Sequence, residues 1–169
     1  MSHFKYFREK LFIEKTSVLN IVKKNKTPFY LYSSKQIEEN YINFSKIFKN
    51  VNPLICFAAK ANTNIKIMRV LGKLGSGADV VSGGELLKAL RAGIKPNKIV
   101  FSGVGKTEEE LKLAILKKIL LINVESESEA ILINEIGKKI NKIIPIGFRL
   151  NPNIDAKTHK KISTGKAEN

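Results

Sequence analysis

The sequence predicts an α/β fold, a (β/α)8 barrel of the TIM type of which about the first five barrel strands are present. Three observations predict it. From residue 27 onward, short apolar runs alternate with helical patterns at a repeat of about 20 to 25 residues. The runs lack strict polar–apolar alternation, as expected of strands buried on both faces of a parallel sheet covered by helices. Three successive helical patterns begin with Ser or Thr and carry Glu three residues later: Ser82/Glu85, Thr107/Glu110 and Ser126/Glu129. A doubly wound sheet satisfies the first two observations as well. The uniformity of the units favours the barrel.

The elements follow in order. "PFYLYS" (28–33) reads as a strand, and Ser33 with Gln36 as the cap of a helix bearing Ile37, Tyr41, Phe44 and Phe48 on one face. "PLICFAA" (53–59) is the first barrel strand, followed by a helix with Ile67, Met68, Leu71 and Leu74. "ADVVS" (78–82), "KIVFSG" (98–103), "ILLINV" (119–124) and "IIPIGFRLN" (143–151) supply four more strands. A closed barrel has eight strands in roughly 250 residues, so the chain reads as a piece of a longer protein. Residues 28–169 form the incomplete barrel. Residues 1–27 precede the repeat and are assigned to a second, β-rich domain of the full protein.

With 169 residues and 43% hydrophobic content, the chain can bury a sizeable core. It has no apolar run long enough to span a membrane and no secretory leader pattern at its start. Cys56 is the lone cysteine, so no internal disulfide forms and a reducing cytoplasm is expected. The net charge of +15 raises the question of nucleic acid. But 26 of the 30 basic residues are lysines spread along the whole chain, without an arginine cluster. That pattern reads as a solvated surface, with neither nucleic acid nor membrane as partner.

"SGVGKT" (102–107) fails as a phosphate loop, because Val100 stands where the first glycine is required; Gly103 and Gly105 read as a tight loop before the Thr107 cap. "GSGADVVSGGE" (75–85) fails as a dinucleotide fingerprint, since Gly75 and Gly77 precede the strand. Gly83 and Gly84 open a helix and serve either a close-approaching ligand or merely a permissive start. His3 and His159 read as exposed loop residues, and no metal site is expected. Lys60 differs. At the carboxyl end of a parallel strand it faces the barrel mouth, where an apolar setting would make its amine nucleophilic. Asp79 and Glu85 bring carboxylates to the adjacent unit. The plainer readings are a lysine that reaches for water and a glutamate that caps a helix.

"FAAKAN" (57–62) resembles the cofactor-lysine motif of the alanine-racemase-like, fold-type-III pyridoxal-phosphate decarboxylases. "TPFYLYS", "GADVVSGGEL", "IVFSGVGKTEEEL", "INVES" and "FRLNPNIDAKTHKKISTGKAEN" follow the family's order and spacing, so the resemblance covers residues 12–169. It implies a carboxy-lyase with pyridoxal 5'-phosphate bound covalently to Lys60. It also implies that Asp79 and Glu85 receive the freed lysine ammonium, that Arg149 lies close to the cofactor, and that residues 157–165 cover the site. The tail pattern implies meso-diaminopimelate as substrate, decarboxylated at its D-configured end to L-lysine in lysine biosynthesis. A homodimer is implied for the full-length protein. The family's phosphate cradle, pyridine-nitrogen acid and cross-dimer residues match nothing in residues 1–169, so the chain alone is expected to be inactive. Sister decarboxylases of ornithine, arginine or polyamine precursors are the alternative enzymes, and a non-catalytic basic module the alternative of another class.

Overall fold

Hydroxyl side chains turn the chain from extended backbone into helix at four places in the computed structural model, which describes residues 3–154. The first of these turns follows a small sheet. Strands β1 (Phe4–Phe7), β2 (Lys10–Ile13) and β3 (Thr16–Ser17) pair antiparallel in that order, and a short helix α1 (Val18–Val22) comes next. Arg8 and Glu9 make the two-residue hairpin with φ of 47° and 61°, as a turn matching strand twist requires. Without Gly or Asn in "FREK", the sequence does not announce that turn.

Two polar clamps hold this sheet to α2 (Ser34–Ile47). Glu14 Oε1 accepts from Ser33 Oγ at 2.7 Å and from Lys35 N at 3.2 Å, at the start of the helix. His3 Nε2 lies 3.0 Å from Glu39 Oε2, so this histidine is engaged and not an exposed loop residue. Residues 28–33, expected as a strand, enter no strand pairing among the described residues, and Tyr30 is 90% exposed. Aromatic β-propensity expresses packing against neighbouring strands, and this segment has none.

Five strands form the larger sheet: β4 (Cys56–Ala58), β5 (Gly77–Val80), β6 (Ile99–Phe101), β7 (Leu121–Val124) and β8 (Ile146–Phe148). All neighbours are parallel, and their order is that of the sequence. That order is an arc of a barrel; a doubly wound sheet reverses direction at a switch point. Helices α3 (Ile65–Lys73), α4 (Gly83–Arg91), α5 (Glu108–Lys117) and α6 (Glu127–Lys139) make the connections. Each strand is shorter than its apolar run, because the run's ends continue into loops and caps.

The sheet's two faces differ. Ala78, Val80, Ile99, Phe101, Ile122 and Val124 are buried with Met68, Leu86, Leu111, Ile133 and Ile136 of the helices. Each large side chain buried there stabilises the fold by roughly 1.5–3 kcal/mol. Asp79, Val100, Leu121 and Asn123, at the alternate positions, are only half-buried. The sequence predicts burial on both faces; the second face is only half-buried, and it is that face which carries Asp79 and Asn123.

The four helix starts behave as the sequence suggests. Ser33, Ser82, Thr107 and Ser126 accept from the backbone N–H of Gln36, Glu85, Glu110 and Glu129 at 3.1–3.3 Å. The reciprocal half of the box closes at Thr107/Glu110. Glu85 and Glu129 reach one residue further back, to Val81 N and Glu125 N, both at 2.9 Å.

Candidate active site

The half-buried face of the sheet ends in a cavity of about 340 Å3 at the carboxyl ends of the strands, lined by Lys60, Asp79, Ser102, Asn123, Glu125 and Arg149 among others. Each strand contributes through its last residues or the loop after it. Lys60 sits in a single 3-10 turn, Ala59–Ala61, directly after β4; Ala59 is fully buried and anchors the turn, while Lys60 is exposed. The enclosed apolar setting expected for Lys60 is therefore absent among the described residues. Its amine makes no hydrogen bond or ion pair there.

A hydrogen-bonded row crosses three strand ends. Asn123 Nδ2 donates to Ser102 Oγ at 3.0 Å, and Ser102 Oγ donates to Asp79 Oδ1 at 2.6 Å. Asp79 lies within β5, paired with Ala58 of β4, and its Oδ2 carries no hydrogen bond. Glu125 Oε1 accepts from Gly103 N at 3.0 Å, and Arg149 Nη1 stands 3.3 Å from Glu125 Oε2. Arg149 is half-exposed, so its guanidinium keeps donors free for an anionic group. Cys56, below this row on β4, has its thiol pushed up first by burial and then by the Asp79 charge, which makes it a poor nucleophile.

Behind the cavity the loops are interlocked. Glu110 accepts from Gly83 N at 2.6 Å and from Thr107 N at 3.0 Å, tying α4 to α5. The Gly83 N–H is therefore committed within the protein and does not await a ligand. Gly103 and Gly105 adopt φ of 93° and 71°, forming the tight loop expected before Thr107. No group of three His, Cys, Asp or Glu among the described residues could hold a metal ion. No described helix is long and apolar enough to cross a membrane.

Of the residues singled out from the sequence, the structure brings Lys60, Asp79 and Arg149 to one cavity. Glu85 does not line it; its carboxylate takes the Val81 N–H. The stretch 157–165 and His159 lie outside the described residues. Ser102, Asn123 and Glu125 went unnoticed in the sequence. The signal for them is position: Asn123 lies within β7, Ser102 and Glu125 directly follow β6 and β7, and all three alternate with buried side chains.

The family described as pyridoxal-dependent decarboxylase, pyridoxal binding domain, matches residues 34–169. Diaminopimelate decarboxylase of Helicobacter pylori strain J99 is 52% identical over 144 residues, which are 85% of this chain and 36% of the relative. The enzyme of the same name from Aquifex aeolicus is 47% identical over 163 residues, 96% of this chain and 38% of the relative. The crystal structure of the Helicobacter pylori enzyme complexed with L-lysine superposes with a TM-score of 0.87 at 48% identity, covering 90% of this chain and 39% of that one. The chain thus spans less than two fifths of the length of these relatives. With a parallel sheet of consecutive strands, a lysine at the end of its first strand and a family match over most of its length, the chain belongs to the pyridoxal-dependent decarboxylases, whose pyridoxal binding domain its residues 34–169 match.

Proposed function

We propose that the protein carrying these residues decarboxylates meso-diaminopimelate to L-lysine and CO2, with pyridoxal 5'-phosphate held covalently by Lys60. The observation that carries this reading is the exposed, unpartnered amine of Lys60 in one cavity with Asp79, Ser102, Asn123 and Arg149. Relatives 47–52% identical bear the name of that activity.

The residues fit the cofactor. A free amine is available for its aldehyde, and the cavity of about 340 Å3 lies at the small end of the roughly 300–1,000 Å3 of small-molecule sites. When bound, pyridoxal phosphate supplies the electron sink for the bond to the departing carboxylate. The chain's own side chains supply position and charge. Lys60 Nζ is the amine that would hold the group. Asp79 Oδ2, free of other bonds, is the acceptor for the released Lys60 ammonium, and Ser102 keeps the Asp79 carboxylate oriented. Arg149 is a cationic partner for an anionic group of cofactor or substrate. Glu85, which the resemblance pairs with Asp79 as a receiver of the Lys60 ammonium, lies outside the cavity lining and fixes the loop after β5 through Val81 N.

The same reading makes the full-length protein a cytoplasmic homodimer acting on a small amino acid, with residues 1–27 part of a second domain. That division is supported by a small sheet that shares no strand pairing with the larger one and by a family match that begins at residue 34.

The test uses the full-length protein. Borohydride reduction with the cofactor, followed by peptide mass analysis, is expected to place the label on Lys60. CO2 release from meso-diaminopimelate is expected to exceed that from ornithine or arginine by up to about 10⁴, since a site built for a polar substrate end rejects analogues lacking it. Label on another lysine overturns the assignment of Lys60. Equal rates with ornithine move the protein to the polyamine branch.

A further inference from the structure

The lysine of the Gly-Lys-Thr stretch that fails as a phosphate loop points into the protein. The Lys106 side chain is 1% exposed. Its ammonium donates to Gly103 O at 2.7 Å, Asn123 O at 2.7 Å and Glu129 Oε1 at 2.8 Å, which uses all three hydrogens. Nζ also lies 5.6 Å from the centroid of the Phe101 ring. Glu129 in turn accepts from Glu125 N through its other oxygen, at 2.9 Å. Removing a charged pair from water is costly, and an apolar pair of the same volume often serves stability as well or better. The distribution of the partners is what distinguishes this pair. Gly103 follows Ser102, Asn123 is itself a member of the hydrogen-bonded row, and Glu125 lines the cavity.

We propose that Lys106 is a positioning residue of the active site. Its ammonium locks the loop after β6 to the end of β7, so that Asn123 reaches Ser102 Oγ and Ser102 gives its hydroxyl to Asp79, leaving Asp79 Oδ2 as the open acceptor for the Lys60 amine. This deepens the proposed function and rests on its pairing of Lys60 with Asp79. Lys106 touches no reacting atom. It acts through two carbonyls and one carboxylate, on neighbours that do line the cavity.

The test combines Lys106→Met with Glu129→Gln in the full-length protein, which removes both buried charges together and keeps an acceptor for Glu125 N. In the cofactor-free variant, amide hydrogen exchange is expected to rise at 102–105 and 123–126 while α5 and α6 stay protected. With cofactor, kcat is expected to fall by about 10²-fold with KM changed less than about twofold, the signature of misplaced rather than lost groups. Adding Ser102→Ala is expected to cost no further kcat, because both changes act on one row. Unchanged exchange in those loops, or losses that multiply with Ser102→Ala, overturns the proposal. Should the double variant fail to fold, Lys106→Gln with Glu129→Gln, which removes the same charges but keeps polar side chains of similar length, is read by the same exchange criterion. If the wild-type protein itself releases no CO2 from meso-diaminopimelate, the substrate reading fails, and exchange still decides the role of Lys106.

Discussion

Ser102 Oγ lies 2.6 Å from Asp79 Oδ1 and gives that carboxylate its hydroxyl hydrogen. The direction is fixed from both sides. Asn123 Nδ2 donates to the same hydroxyl oxygen at 3.0 Å, and a carboxylate only accepts. A single hydroxyl therefore aligns one side of Asp79 along the sheet and leaves the other facing the cavity.

Ser102→Ala should cost about 0.5–1.5 kcal/mol of stability, the net worth of an ordinary hydrogen bond, measured by urea unfolding. The larger effect is expected in kcat, because Asp79 then turns freely and the Asn123 amide loses its acceptor. A variant with wild-type kcat would remove Ser102 from the site.

Glu110 carries a pH dependence whose sign is determined. Its bonds to Gly83 N and Thr107 N hold its pKa below the usual 4.5 of a glutamate. A carboxylate whose folded pKa is depressed contributes fully above its unfolded value. The contribution is lost as pH falls from about 4.5 through the lower folded value. Glu110→Gln should therefore differ most from wild type near neutrality, and the two unfolding curves should converge in acid. A difference independent of pH would contradict this.

The barrel was legible because its units repeat. Ser82, Thr107 and Ser126 each stand three residues before a glutamate, a local signal that needs no tertiary context. The order of β4 to β8 follows from the same repetition. What local pattern does not carry is pairing. Residues 28–33 have strand composition but no strand to pair with among the described residues, and the Arg8–Glu9 hairpin is set by the strands it joins rather than by its own residues. The site divides in the same way. Lys60 was visible from a motif, whereas Ser102 and Asn123 matter through each other across β6 and β7, 21 residues apart in sequence. Lys106 was visible only as part of a failed motif, since its burial is decided by Glu129 of α6, 23 residues further on.

Gly77→Ala tests the close packing beneath the site. A methyl group there would run into the Lys98 carbonyl and approach Cys56 Sγ at 2.7 Å. Backbone cannot yield as a flexible side chain does, so β5 must shift away from its neighbours. A destabilisation of about 1–3 kcal/mol is expected in urea unfolding, as for other overpacked positions. A neutral substitution would mean that β5 and β6 part more easily than their packing implies.

Lys60→Ala should separate function from stability. Among the described residues the Lys60 side chain is exposed and unpartnered, and the buried Ala59 holds the turn without it. Removing it should change stability by less than about 0.5 kcal/mol, as for surface positions away from special features. Thermal unfolding of the cofactor-free full-length protein measures this. Yet the only lysine among the described residues lining the cavity is then gone, so borohydride should fix no cofactor and turnover should vanish. Lys106 provides the control. Lys106→Met alone strands the charge of Glu129 in a buried setting and should destabilise by about 3–5 kcal/mol. A Lys60→Ala variant that unfolds as readily as Lys106→Met would show that Lys60 belongs to the scaffold. One that still retains reduced cofactor on another lysine would show that the amine serving this site comes from elsewhere.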